Sequence, residues 1–288
     1  MKRGPSLAPT LPPTTWTTSG EPPLSRLRWC AGDAATVARR HLAHLRSAPE
    51  RAAMALVIPL VFTLLFVYVL GSNMRAPGGV SYVDFLVPGM LAQMAVFGLA
   101  ASAAVTAEDK HRGVTDRFLS LPMSRAGVPV GQSLAECLGG VITLGVMAGC
   151  GLLVGWRPTA APTGVLAGLA LLLLARYAFS WLGMWIGLVM PSRSATDFVG
   201  MLMFPLTMIS NIFVPTDGLP TGLRLLADWN PVSAVVSAVR DLFGTPVAVP
   251  ADAAWPIEHP VAATLGWSLL LLVVFGPLTV AAFRAPKH

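Results

Sequence analysis

The sequence predicts an all-α, polytopic membrane protein with six transmembrane helices, an N-terminal amphipathic interface helix and a re-entrant helical hairpin before the last span. Three observations lead there. Of 288 residues, 54% are hydrophobic and 12% charged, against roughly 25% charged in ordinary soluble domains. The mean hydropathy is +0.66. Apolar runs of about 20 residues, the length a bilayer core demands, recur along the chain, and most of the Lys and Arg lie between them.

Residues 1–25, rich in Pro and Thr, lack the apolar core of a signal peptide and read as a disordered tail. Residues 26–50 form the expected interface helix. Leu27, Ala31, Ala34, Ala38, Leu42 and Leu45 share one stripe, and Arg28, Arg39, Arg40 and Arg46 lie mostly off it. A helix of that kind rests on the inner leaflet with its arginines near anionic headgroups; a plain solvated helix is the alternative. Residues 51–288 make the transmembrane domain, with spans at about 52–70, 85–107, 134–156, 165–190, 198–214 and 261–283. Pro59 and Pro205 are expected to kink the first and fifth spans, which neighbouring helices tolerate by satisfying the freed carbonyls.

The second and third spans are joined by the most charged part of the chain, "EDKHRGVTDRFLSLPMSRAGVPVGQS". It holds Glu108, Asp109, Lys110, His111, Arg112, Asp116 and Arg117, with Val114, Phe118 and Leu121 at helical spacing beside them. A short surface helix with one apolar edge suits docking to a partner protein; a solvated loop is the bland reading. After the fifth span, Pro215 and Pro220 end the helix. Leu219, Leu223 and Leu226 then give a short apolar edge, with Trp229 suited to an interface, and Asn230 and Pro231 turn the chain. Beyond them Val232, Val235, Val236, Val239, Leu242 and Phe243 fall opposite Ser233, Ser237 and Arg240. Two short helices dipping into the outer leaflet and returning satisfy this pattern, and such a hairpin is placed to gate the outer mouth of a path.

With the N-terminus in the cytoplasm, fifteen Lys and Arg fall on the inner side and four on the outer, so the positive-inside rule puts both termini in the cytoplasm. The same bias accounts for the net charge of +6. Nucleic-acid binding is the weaker reading of that basicity, because no soluble domain carries a patch.

Arg176 is the one basic residue inside a span. It lies about eleven residues into the fourth, and a lone charge near the bilayer centre costs about 2.5 to 3.5 kcal/mol on insertion scales. No acid is expected at matching depth; Glu136 would reach it only if the third span were displaced by a turn or two. A role in the substrate path and a bond to carbonyls both remain open. Met201, Met203, Phe204 and Met208 line the fifth span, where adaptable side chains suit varied apolar ligands, although packing is the commoner use. Cys30, Cys137 and Cys150 imply neither a disulfide framework nor a metal set. His41 and His44 sit a turn apart without a third ligand.

Catalytic signatures are missing. None of the three lysines, Lys2, Lys110 and Lys287, stands in a Walker A loop. There is no His-Glu-x-x-His pair, no Gly-x-Ser-x-Gly elbow and no Cys-x-x-Cys.

Two stretches, "RGVTDRFLSLPMSRAGVPVG" and "SNIFVPTDGLPTGLRLLADWNPVSAVVSAVRDLFG", together with the span pattern, resemble the permease subunits of ABC-2 type transporters, most of all the daunorubicin/doxorubicin resistance type. The likeness runs from about Arg39 to Phe283. It implies a non-catalytic subunit of an ATP-binding cassette exporter in the bacterial cell membrane, paired with a second permease copy as a homodimer and docked to two copies of an ABC ATPase. The cargo would be a hydrophobic drug-like or lipid-like molecule, and the chain would hold no cofactor, ATP and Mg sitting on the partner. Carried over, the resemblance makes Glu108, Asp109, Lys110, His111, Arg112, Gly113, Asp116, Arg117 and Phe118 the coupling helix. It places the second and fifth spans along the substrate path, with Arg176, Met201, Phe204, Met208 and Asn211 as candidates, and leaves Pro215, Pro220, Asn230, Pro231 and Arg240 for the outer gate. A stand-alone channel or secondary transporter is the alternative, but apart from Arg176 the spans lack an ionisable relay.

Overall fold

The computed structural model describes Val57 and residues 59–70, 81–114, 127–213, 216–245, 247 and 253–284. The expected tail (1–25) and interface helix (26–50), and Asp116, Arg117, Phe118 and Pro215, lie outside the described residues. Every regular element within them is helical. They are α1 (Pro59–Val69), α2 (Tyr82–His111), α3 (Gly127–Val154), α4 (Pro162–Val189), α5 (Arg193–Met208), α6 (Thr221–Asp228), α7 (Pro231–Phe243), α8 (Trp255–Glu258) and α9 (Pro260–Arg284).

Four of these, α2, α3, α4 and α9, are long and apolar enough to cross a membrane. The described parts of the first and fifth predicted spans are shorter apolar helices, Pro59–Val69 and Thr196–Met208. Pro59 stands at the edge of the described residues, and Phe66–Leu70 at the other end of α1 winds as a π-helix. The third helix begins at Gly127, seven residues before the predicted edge at 134. The polar Gln132 and Ser133 depress local hydropathy there, yet both are buried.

Helix starts follow local chemistry. Ser81 caps α2 by accepting from the Asp84 N–H at 3.2 Å, and Asn230 caps α7 by accepting from the Val232 N–H at 2.9 Å. Pro162 and Pro231 open α4 and α7, positions where a missing N–H costs nothing.

Helix α2 is the centre of the fold, with 19 of its 30 residues buried, and it packs on α3, α4, α5 and α7. Its tightest neighbour is α4. A side chain at Gly183 would collide with the Leu99 carbonyl, and one at Gly187 would sit 2.9 Å from Thr106 Cβ. Small residues at such crossings let backbones approach, the main source of helix association where lipid removes the hydrophobic drive. Helix α5 runs antiparallel to α2. Gly200 lies beside Ala100, Thr207 accepts from Gln93 Nε2 at 3.4 Å, and Ile212 packs over Gly89. Helix α1 follows α5, with Phe62 near Phe204 and Phe66 against Phe213 at 4.7 Å between ring centroids.

Candidate functional site

At the His111 end of the bundle, α2 closes on Gly113, whose φ of 67° suits glycine at a helix stop. Its N–H donates to the Lys110 carbonyl. Within the last turn Glu108 and Arg112 form an i,i+4 ion pair, and the Arg112 side chain is 59% exposed. Exposed i,i+4 pairs of this kind add about 0.3–0.5 kcal/mol, so this one contributes little to stability. Lys110 behaves differently. Its Nζ turns inward and donates to the carbonyls of Leu188 and Met190 at the end of α4. One turn deeper, Gln132 Nε2 donates to Thr106 Oγ1 at 2.7 Å and joins α3 to α2.

Midway along α4, Arg176 is 8% exposed and fully engaged. Its Nη1 donates to the Met94 carbonyl at 3.1 Å, and its Nε donates to the Glu136 carbonyl at 3.2 Å. The Glu136 carboxylate lies 3.6 Å from Nη2. The expectation of no acid at matching depth is therefore corrected: α3 starts two turns earlier than its hydropathy indicates, which brings Glu136 to the level of Arg176. Room for the guanidinium comes from Gly140, where any side chain would collide with it, and from Gly98, where a Cβ would lie 3.1 Å from Arg176 Cγ. Helices α2, α3 and α4 thus meet on one charge.

At the Ser81 end, Arg240 of α7 is 2% exposed. Its Nε donates to the Phe85 carbonyl at 3.1 Å, Nη1 to Asn211 at 2.9 Å and Nη2 to Ile212 at 3.0 Å. The guanidinium also stacks over the Phe85 ring, 3.6 Å from its centroid. Asn211 and Ile212 follow the point where α5 unwinds, so their carbonyls have lost helical partners and Arg240 supplies them. Asn211 adds bonds to α7 through Ser233 and Ser237. Asn230 Nδ2 donates to the Leu206 carbonyl. The face of α7 that reads as polar in sequence is buried in this network.

Helix α6 is inverted relative to a soluble amphipathic helix. Asp228 is buried, accepts from Thr216 Oγ1 at 3.0 Å and pairs with Arg224 at 3.7 Å, whereas Leu225, Leu226 and Trp229 are more than half exposed. Pro220, its N-cap residue, is exposed. Along α5, Met203 is buried, but Met201 is 73% exposed, and Phe204 and Met208 also face outward. Helix α5 offers α2 one side only, so Met203 packs within the chain and the other three lie on its outward face.

A family model for ABC-2 type transporters matches residues 34–243. The chain belongs to the ABC-2 type transporter family. Consistent with that, this ABC-2 chain is 29% identical over 230 residues, 79% of its own length and 77% of the relative's, to a daunorubicin resistance ABC transporter permease protein of Streptomyces coeruleorubidus. It is 22% identical over 235 residues, covering 81% of this chain and 82% of the relative, to a protein of two Mycobacterium tuberculosis strains named "probable doxorubicin resistance ABC transporter permease protein". With four helices fit to cross a bilayer, this ABC-2 family member is a multi-pass membrane protein.

Sequence reasoning missed Gln132, named Glu136 only as a conditional partner of Arg176, and missed the inward turn of Lys110. A signal for the first two exists in the spacing of Gln132, Glu136 and Gly140, which lie four apart on one face of α3.

Proposed function

We propose that the chain is the non-catalytic membrane subunit of an ATP-binding cassette exporter, moving a hydrophobic drug-like or lipid-like molecule out of the bacterial cell. ATP and Mg are held by two copies of a separate ATPase. The family match over residues 34–243 carries this reading, and the drug-resistance permeases among its relatives favour the cargo class.

The geometry supports the assignment of parts. The path of α5 along α2, with α1 beside it, supports six spans; the excess of Lys and Arg on one side puts both termini in the cytoplasm, and the α6–α7 pair is the re-entrant hairpin. The residues 108–118 present charge to the ATPase. Helix α5 turns Met201, Phe204 and Met208 toward a second copy of the chain or toward cargo between two copies, with Asn211 at the head of that row. The hairpin around Asn230, Pro231 and Arg240 closes the outer mouth, Pro215 and Pro220 bounding its entry. Arg176, tied to Met94 and Glu136 within the protein, acts as an internal strut and not as a cargo contact.

The test starts from the tagged full chain, purified from its native membrane. A stoichiometric P-loop ATPase is expected to accompany it. Glu108→Arg with Arg112→Glu keeps an ion pair at i,i+4 while inverting the charges shown to a partner, and is expected to weaken that association. Purification without any ATPase, or export indifferent to the inversion, contradicts the reading.

A further inference from the structure

The His111 end holds a connection that the docking role of residues 108–118 does not require. Close packing between α2 and α4 is supplied by Gly183 against Leu99 and Gly187 against Ala103 and Thr106. Lys110 stands one turn beyond that last contact. There its ammonium bridges two carbonyls, Leu188 and Met190. Both belong to the end of a helix, where carbonyls lack intrahelical donors and carry the negative pole of the helix dipole. Met190 is the C-cap of α4, with extended backbone (ψ 137°), and α5 begins three residues later at Arg193. The side chain therefore joins the charged end of α2 to the turn that launches α5.

We propose that Lys110 is a positioning residue that hands movement of the last turn of α2 to the α4–α5 turn, and through it to α5. This rests on the export function proposed above. Lys110 acts through the Leu188 and Met190 carbonyls. An arginine at this position has the reach and donors to hold both carbonyls, whereas methionine keeps the apolar stem and loses the tie.

Two measurements test it. In the full chain with Cys30, Cys137 and Cys150 replaced by alanine, spin labels at His111→Cys and Ser194→Cys, both at exposed positions, report the separation of the α2 end from the α5 start. Lys110→Met is expected to broaden that distance distribution, and Lys110→Arg to leave it narrow. An unchanged distribution in Lys110→Met overturns the proposal. In vesicles holding the complex with its ATPase, Lys110→Met is expected to lower cargo exported per ATP at least about fivefold, the lower end of typical coupling between sites, with the ATPase still bound and Lys110→Arg restoring the ratio. An unaltered ratio, or loss of the ATPase from the Lys110→Met complex, refutes the positioning role. If wild-type export needs no ATP, the export reading fails by itself, and the label distances still decide whether Lys110 ties α2 to α5.

Discussion

Removing the Arg240 guanidinium strips three buried carbonyls of their donors at once. Arg240→Met keeps a stem of similar length but leaves the Phe85, Asn211 and Ile212 carbonyls without the donors they have at 2.9–3.1 Å. Each buried acceptor left unpaired costs roughly 1–3 kcal/mol. Against that, the burial of a charge, worth several kcal/mol of lost hydration, is relieved. Three acceptors at about 2 kcal/mol each, set against about 3 kcal/mol for the relieved charge, leave a net destabilisation of about 3 kcal/mol. For chains of 150–250 residues 1 kcal/mol moves Tm by about 2–4 °C, so a fall of roughly 6–12 °C is expected for the purified protein in detergent, followed by the fluorescence of its tryptophans. Arg240→Lys is expected to recover less than half of it, because one ammonium cannot span three carbonyls that a planar fork reaches together. A Tm for Arg240→Met within 1 °C of wild type, or full rescue by lysine, refutes the clamp.

Other outcomes follow from the same geometry. Arg176→Met leaves the Glu136 carboxylate buried without its partner and is expected to destabilise by about 3–5 kcal/mol, while adding Glu136→Gln recovers most of that loss; a double-mutant cycle in thermal unfolding measures the coupling, and additive effects contradict the pairing. Gly183→Leu drives a side chain into the Leu99 carbonyl and is expected to abolish the monodisperse folded species on size exclusion, whereas the same change at Gly266, which has open space around it, leaves the profile intact. Met201→Cys, 73% exposed on α5, is expected to form a disulfide-linked dimer in native membranes if two copies face each other there. Absence of cross-linking along Met201, Phe204 and Met208 alike removes α5 from that interface.

The apolar runs made α2, α4 and α9 legible to within a few residues, since a bilayer-spanning helix must hide every backbone polar group over a fixed length. The edge of α3 was not legible, because Gln132 and Glu136 lower hydropathy in a helix that nonetheless continues. Their partners, Thr106 and Arg176, belong to other helices; depth made Glu136 a conditional partner of Arg176, but nothing one-dimensional marks the Gln132–Thr106 bond. The turn around Asn230 and Pro231 was legible from capping chemistry. The orientation of its flanking helices was not: a soluble amphipathic rule puts Arg240 and Asp228 outside, but here the exterior favours leucine and tryptophan, so the polar residues turn inward and bond to unwound backbone. Lys110 reads as one charge among many, and only the end of α4 distinguishes it from Arg112.

The central claim is that this chain moves cargo using ATP hydrolysed elsewhere. Inside-out membrane vesicles containing the chain with and without its ATPase, offered doxorubicin, daunorubicin and a fluorescent lipid, test it most directly. Accumulation of at least one of them that requires both Mg-ATP and the second subunit is the predicted result. Accumulation driven by a proton gradient alone, with the chain as the sole protein and no ATP, would contradict the account.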